Sequence, residues 1–229
     1  MGQTPEHDQK AGSAISKSAC QSFKTLNRRL QWVYESKDVD ELRGKYNAWA
    51  NVYEADLKES WVLPMHTATL LETLRPHRDI DILDAGAGTG MVGAALNHLG
   101  YKNITAMDLS PEMLKLAHQK NVYKALYEAN LDEELTFCES GSFRVITAIG
   151  VFTYGHVGSS GLLNLLPLLQ LGGLFILPIR TSNEPMLSAL RHLDLDLITQ
   201  EIYELDEHPF YLMAYQKNNP HNLTNLDNA

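Results

Sequence analysis

Five residues of this chain pair a charge or a bare backbone with a spacing that chemistry can use. They are Asp84, Gly86, Gly88 and Gly90, within Asp84-Ala85-Gly86-Ala87-Gly88-Thr89-Gly90, and Asp108 further on. Glycine tolerates positive φ and carries no Cβ, so glycines at alternate positions let a backbone approach a ligand closely. A ligand over that turn would also meet the free amide donors and positive dipole end of a following helix. A dinucleotide site wants G-x-G-x-x-G, and Met91 stands where its third glycine belongs. Asp84 is unhelpful beside a pyrophosphate and attractive beside an ammonium, which points away from NAD. Asp108 lies 24 residues after Asp84. A carboxylate at that interval can accept hydrogen bonds from both hydroxyls of a ribose; otherwise it is a surface acid capping the next helix.

The elements that position these residues follow from hydrophobic patterning. Ile80 to Asp84 predicts a buried strand, and Val92 to Leu99 the crossover helix, closed by Gly100, that leads to a strand over Ile104 to Leu109. Ser110-Pro111-Glu112 opens a helix, with serine as cap, proline in the first turn and an acid after it. Further strands are expected at Val122 to Ala129, Phe143 to Ile149 and Leu174 to Leu177. The leucine-rich run Gly161 to Leu171 reads as a helix interrupted at Pro167, with Gly172-Gly173 as the turn after it. Ser182-Asn183-Glu184-Pro185 caps a helix to His192, and Leu197 to Tyr203 and Phe210 to Tyr215 form a closing hairpin through Glu207-His208-Pro209. Ahead of the sheet, helices are expected at Ser22 to Tyr34, from Val39 through Tyr53, and at Met65 to Leu74, ended by Pro76. The fold class is therefore α/β: a doubly wound, mostly parallel seven-stranded sheet with an antiparallel last strand and a helical N-terminal extension. Asp84 to Gly90, Asp108 and Gly150 to His156 all fall at the strand ends where such sheets bind ligands.

The string DAGAGTG resembles the cofactor motif of class I S-adenosylmethionine-dependent methyltransferases, and DLSPEMLKLA resembles their second motif. YNAWANVYEADL and FRVITAIGVFTYGHV make the chain similar to the methyltransferase-like family named after the Williams-Beuren syndrome chromosome region, over residues 40 to 216. The resemblance implies a Rossmann-like methyltransferase fold, S-adenosyl-L-methionine as cofactor and S-adenosyl-L-homocysteine as product. It implies that Asp84, Ala85, Gly86, Gly88 and Gly90 hold the methionine portion, with the Asp84 carboxylate addressing the ammonium. By the same resemblance Leu109 and Met113 flank the adenine, and Asn130 with Leu131 occupies the place where the family commonly has an acid facing the adenine amino group. Gly150 and Val151 then belong to the cofactor-binding loop after the fourth strand. Tyr46, Trp49 and Tyr53 share one helix face, which is either core packing or, as the family pattern implies, a lid over the sulfonium. The family often has cysteine at Ala87 and an acid at Arg144, and the arginine suggests a new salt bridge.

Methyl transfer is an in-line displacement, so alignment of the reactants supplies most of the catalysis. A base is needed only for an acceptor that is protonated at working pH. His156 is the candidate base, with Tyr154 and Tyr53 as groups that could orient an acceptor; the other reading of His156 is a loop histidine packed by aromatics. Arg180 either binds an acceptor carboxylate or meets solvent.

Composition narrows the partners. Across 229 residues, a net charge of −9 offers no basic field for nucleic acid, and no N-P-P-Y motif follows the fourth strand. Two cysteines without a C-x-x-C pair and nine scattered histidines predict reduced thiols and no metal site. No apolar run is long enough for a membrane span. Lys10 to Arg29 is basic and free of acids, a feature of solvated tails and also of mitochondrial presequences. The expected organisation is a tail and short helix over 1–38, a methyltransferase domain over 39–216 and a polar tail over 217–229. The expected protein is a cytoplasmic monomer methylating a small molecule or a protein side chain. The competing classes are a non-catalytic cofactor-binding module that serves a partner protein, and a nicotinamide-dependent oxidoreductase.

Overall fold

The computed structural model describes residues 17–58, 62–75, 77–153, 157–204 and 209–218, with side chains from Leu26 onward. Seven strands, β1 (Ile82–Ala85), β2 (Ile104–Asp108), β3 (Ala125–Glu128), β4 (Phe143–Thr147), β5 (Leu169–Arg180), β6 (Leu195–Tyr203) and β7 (Phe210–Lys217), form one sheet in the order β3-β2-β1-β4-β5-β7-β6. β1 to β5 run parallel and β7 is antiparallel to both of its neighbours, as the pattern of the sequence predicts. Strand order reverses between β1 and β4, and ligands of such sheets lie at the carboxyl ends there.

The helices are α1 (Lys17–Tyr34), α2 (Val39–Leu57), α3 (Leu63–Leu74), α4 (Met91–His98), α5 (Pro111–Gln119), α6 (Ser159–Leu165) and α7 (Glu184–Arg191). Strand side chains alternate between faces, so Leu83 and Ala85 pack with Ile146, Phe175 and the α6 leucines Leu162 and Leu165. On the opposite face Ile82 packs with Val145, Ile176, Leu71 of α3 and Leu96 of α4. The same alternation turns Asp84 toward the α4 side, level with its β4 partner Thr147. α1 and α2 form a hairpin around a third cluster, Leu26, Val33, Trp49 and Leu57. Asp38 starts α2 by accepting the Glu41 amide at 2.8 Å, while the Glu41 carboxylate accepts the Lys37 amide at 3.0 Å. Such reciprocal caps satisfy amides that a helix start leaves bare.

Several expectations are corrected. Gly172-Gly173 is no turn: β5 begins at Leu169 and runs through both glycines, with a register shift opposite Phe143 and Val145. Gly172 has φ +68°, and a Cβ on Gly173 would lie 2.8 Å from the Gln170 carbonyl oxygen, so the pair makes a bulge inside a strand. The helix of the leucine run correspondingly ends at Leu165, and a single 3₁₀ turn, Leu166–Leu168, carries Pro167. α7 starts where expected, capped by Asn183, whose side chain accepts the Met186 amide at 3.3 Å, while α1 begins at Lys17 rather than Ser22. Arg144 makes no salt bridge among the described residues and instead donates to the Leu171 carbonyl at 3.2 Å. Pro76, Glu207 and His208 lie outside the described residues. Among the described residues no helix is long and apolar enough to cross a membrane, and no group of histidine, cysteine or acid side chains could hold a metal.

Candidate functional site

A cavity of about 300 Å³ opens at the carboxyl ends of β1, β2 and β4, at the lower end of the range for small-molecule sites. Its floor is Gly86 and Gly88. Asp108, Leu109 and Met113 form one wall, Asn130 and Leu131 continue it, and Gly150, Val151 and Val157 close the far side. The roof is the α1–α2 hairpin, through Tyr46, Tyr53 and the turn Ser36 to Val39.

The turn between β1 and α4 takes its shape from glycine. Gly86, Gly88 and Gly90 have φ +70°, +54° and +88°, values other residues rarely adopt. The Met107 carbonyl accepts the amides of Gly86 and Ala87 at 2.8 and 2.9 Å, which pins the turn to the end of β2. A Cβ on Gly86 would stand 2.3 Å from Val151 Cγ2, whereas a Cβ on Gly88 would meet nothing within 4 Å. Gly86 is thus required by the loop after β4, and Gly88 leaves open space.

Asp108 is held by two amides, Gly88 N–H to Oδ2 at 2.7 Å and Ser110 N–H to Oδ1 at 2.8 Å. The Leu109 amide also favours the carboxylate, and with roughly four acceptor positions on its two oxygens the group keeps capacity for a further donor. Burial raises its carboxyl above the ordinary range, against the opposing pull of the Ser110 and Gly88 amides. Burial likewise raises the Tyr46 and Tyr53 phenols, so both stay neutral hydroxyls at physiological pH.

Four residues expected at the ligand stand behind the cavity wall. Trp49 is fully buried in the hairpin core, its Nε1 donating to Asp56 at 2.8 Å. Ala85 is buried on the opposite sheet face. Gly90 abuts the Tyr123 ring, where a Cβ would lie 3.0 Å from Cε2. Asp84 is 1% exposed and accepts hydroxyl bonds from Tyr123 at 2.7 Å and Thr147 at 3.1 Å. Burial pushes its carboxyl up to about 6, opposed by those hydroxyls and reinforced by the charge of Asp108. Tyr154, Gly155 and His156 lie outside the described residues.

Residues 82–173 match the methyltransferase domain family. The chain is 28% identical over 169 residues to human methyltransferase-like protein 27, covering 71% of this chain and 67% of that protein. It is 37% identical over 95 residues to the uncharacterized methyltransferase YodH of Bacillus subtilis (strain 168), 40% of each chain. The fold resembles the protein solved with the Haloferax volcanii Trm112 methyltransferase activator, at a TM-score of 0.63 and 17% identity, over 78% of this chain and 98% of that one. The fold is that of the class I methyltransferases. A second methyltransferase, the Burkholderia thailandensis 1,6-didemethyltoxoflavin-N1-methyltransferase solved with its substrate and S-adenosylhomocysteine, matches with a TM-score of 0.58 and 16% identity, covering 93% of this chain and 99% of that one.

Asn130 departs from the expected acid, and its amide is already engaged. Oδ1 accepts the Asp132 amide at 3.0 Å and Nδ2 donates to Glu133 at 2.8 Å, which leaves one lone pair on Oδ1. The contribution of Ser36 to Val39 to the cavity has no motif behind it. Its only sequence signal is the Asp38/Glu41 cap pattern, which marks a helix start and not a wall. Tyr123, behind the turn, carries no signal in the sequence at all.

Proposed function

We propose that this methyltransferase binds S-adenosyl-L-methionine in the cavity under the α1–α2 hairpin and transfers its methyl group to a small-molecule or protein acceptor. The observation that carries the reading is the Asp108 carboxylate, anchored at the wall by Gly88 and Ser110 with acceptor capacity left over its two oxygens. A vicinal diol is the group such a pair of acceptors suits. Open space above Gly88, the apolar side chains of Leu109 and Met113, and the buried negative charge of Asp84 behind the turn fit, in turn, a backbone-gripped amino-acid tail, an adenine face and an ammonium. When bound, the cofactor supplies an electrophilic methyl carbon on a positively charged sulfur.

The chain's own residues then hold and align. Tyr46 and Tyr53 cover the cavity and exclude water, and Val151, packed on Gly86, fixes the loop that leads to the acceptor side. His156 is the proposed base for an acceptor that carries a proton, and Tyr154 the group that orients it; both follow directly on the cavity-lining Gly150 and Val151 in the chain. The working unit includes the whole hairpin, because Leu26 and Val33 of α1 share a core with Trp49 and Leu57 of α2. A net charge of −9 favours a neutral or cationic acceptor over nucleic acid, and a cytoplasmic monomer is the form proposed.

The test is S-adenosylhomocysteine binding, followed by labelling of cell extract with a labelled methyl donor. At about 100 times its dissociation constant the product should add roughly 2.7 kcal/mol of stability. Labelled acceptor should appear with the intact protein and not with Asp108→Ala. A flat melting curve at millimolar ligand ends the reading. Binding without transfer in every fraction leaves a cofactor-dependent binding module instead.

A further inference from the structure

We propose that Tyr123 is a positioning residue of the cofactor site, its hydroxyl setting the glycine turn by joining the end of β1 to the start of α4. This rests on the cofactor reading above. Tyr123 lies between α5 and β3, outside the cavity wall. Its hydroxyl donates to Asp84 Oδ2 at 2.7 Å and accepts the Gly93 amide at 3.2 Å. Asp84 is in the strand that enters the turn and Gly93 in the first residues of the helix that leaves it, so one oxygen atom spans the two ends of the 86–90 loop.

The ring adds a packing constraint. A Cβ on Gly93 would sit 2.2 Å from the Tyr123 Cζ and hydroxyl, and one on Gly90 3.0 Å from Cε2. Gly93 is demanded by the tyrosine, Gly90 by its φ of +88° and by Ala117 as well as the ring, whereas Gly88 faces open space. The groups that face the Asp84 carboxylate are the Tyr123 and Thr147 hydroxyls, the Gly93 amide and the charge of Asp108. Among the described residues no cation pairs with it. Its ionised form therefore depends on two hydroxyl donors and the Gly93 amide, and of the hydroxyls Tyr123 is the closer.

Tyr123→Phe keeps the ring and deletes both bonds, leaving the Gly93 amide with the Asp84 carboxylate alone and Asp84 with one hydroxyl donor. Calorimetric titration of the full chain with S-adenosylhomocysteine, between about pH 5 and 8, reads the consequence. At the alkaline end Tyr123→Phe should bind about tenfold more weakly, since the oxygen that joins the two ends of the turn is gone. The pH at which affinity half-falls should also move upward, because a bond that favours ionised Asp84 is gone. Thr147→Val should move that midpoint in the same direction with a smaller loss of affinity, because it leaves the Tyr123 link across the turn in place. A residue that merely packs would change melting temperature and leave the pH midpoint in place. Wild-type affinity in Tyr123→Phe, or a loss of affinity with an unmoved midpoint, overturns the proposal. If Tyr123→Phe does not fold, Thr147→Val decides alone, and an unmoved midpoint there overturns it too. Failure of the unmodified protein to bind the ligand at any pH strikes the cofactor reading, and this inference falls with it.

Discussion

Replacing Asp84 by asparagine should stabilise the ligand-free protein in a pH-dependent way while weakening its grip on the cofactor. Asp84 is 1% exposed, and burial pushes its carboxyl from an ordinary 3.8 to about 6. The unfolded chain therefore releases this proton at lower pH than the folded one. As pH rises from about 4 to about 6 the folded state is progressively penalised, and above that window the penalty is complete. A displacement of that size corresponds to roughly 3 kcal/mol. Asparagine carries no such titration. Urea unfolding of both proteins at a series of pH values should show Asp84→Asn gaining on the wild type by roughly 3 kcal/mol between about pH 4 and 7. In melting temperature that is on the order of 6 to 12 °C for a chain of this size. The comparison across pH removes any constant offset from the exchange of an oxygen for an amide nitrogen beside the Tyr123 hydroxyl. S-adenosylhomocysteine affinity should move the opposite way, falling at neutral pH as the charge behind the turn is lost. Stability curves that run parallel from pH 4 to 7 would refute the argument, because they would mean that Asp84 pays no desolvation cost.

Further outcomes follow from individual contacts. Asp108→Asn sets an amide nitrogen against either the Gly88 or the Ser110 amide, so S-adenosylhomocysteine binding by calorimetry should weaken about a hundredfold or more. Gly86→Ala drives a methyl to 2.3 Å from Val151 Cγ2 at φ +70°. It should cost about 1 to 3 kcal/mol of stability in denaturant unfolding and abolish product binding. Asn47→Ala removes the acceptor of the Ser110 hydroxyl at 2.7 Å, a bond that ties α2 to the start of α5. Limited proteolysis should then cut the hairpin faster, with a loss of about 1 kcal/mol in its docking.

The part of this site that lies along the chain was legible from residue types alone. Strand, glycine turn and helix fall within Ile82–His98, and the interval to Asp108 brings a second acid to the same crevice. What could not be read depends on which side a residue turns. Tyr46, Trp49 and Tyr53 recur at spacings that share a helix face, yet the tyrosines roof the cavity while Trp49 points into the α1 packing. A stripe fixes neighbours on a helix and not the direction in which each side chain leans. Asp84 was legible as an acid beside the turn, but its place behind the turn follows from the pleat and from Tyr123, a residue 39 positions away. The leucines before Gly172 failed for another reason: a short buried strand and a buried helix segment share the same apolar signal.

The hairpin over the site is built around a kernel of its own, separate from both layers that sandwich the sheet. Its inner surface can be rewritten without disturbing the strands beneath, and the hydroxyl of Ser110 and the carbonyl of Leu109 fasten it to the second strand and its helix through Asn47 and Arg43. A chain so arranged can change the shape of its binding chamber by exchanging a removable cover while its floor stays as it is.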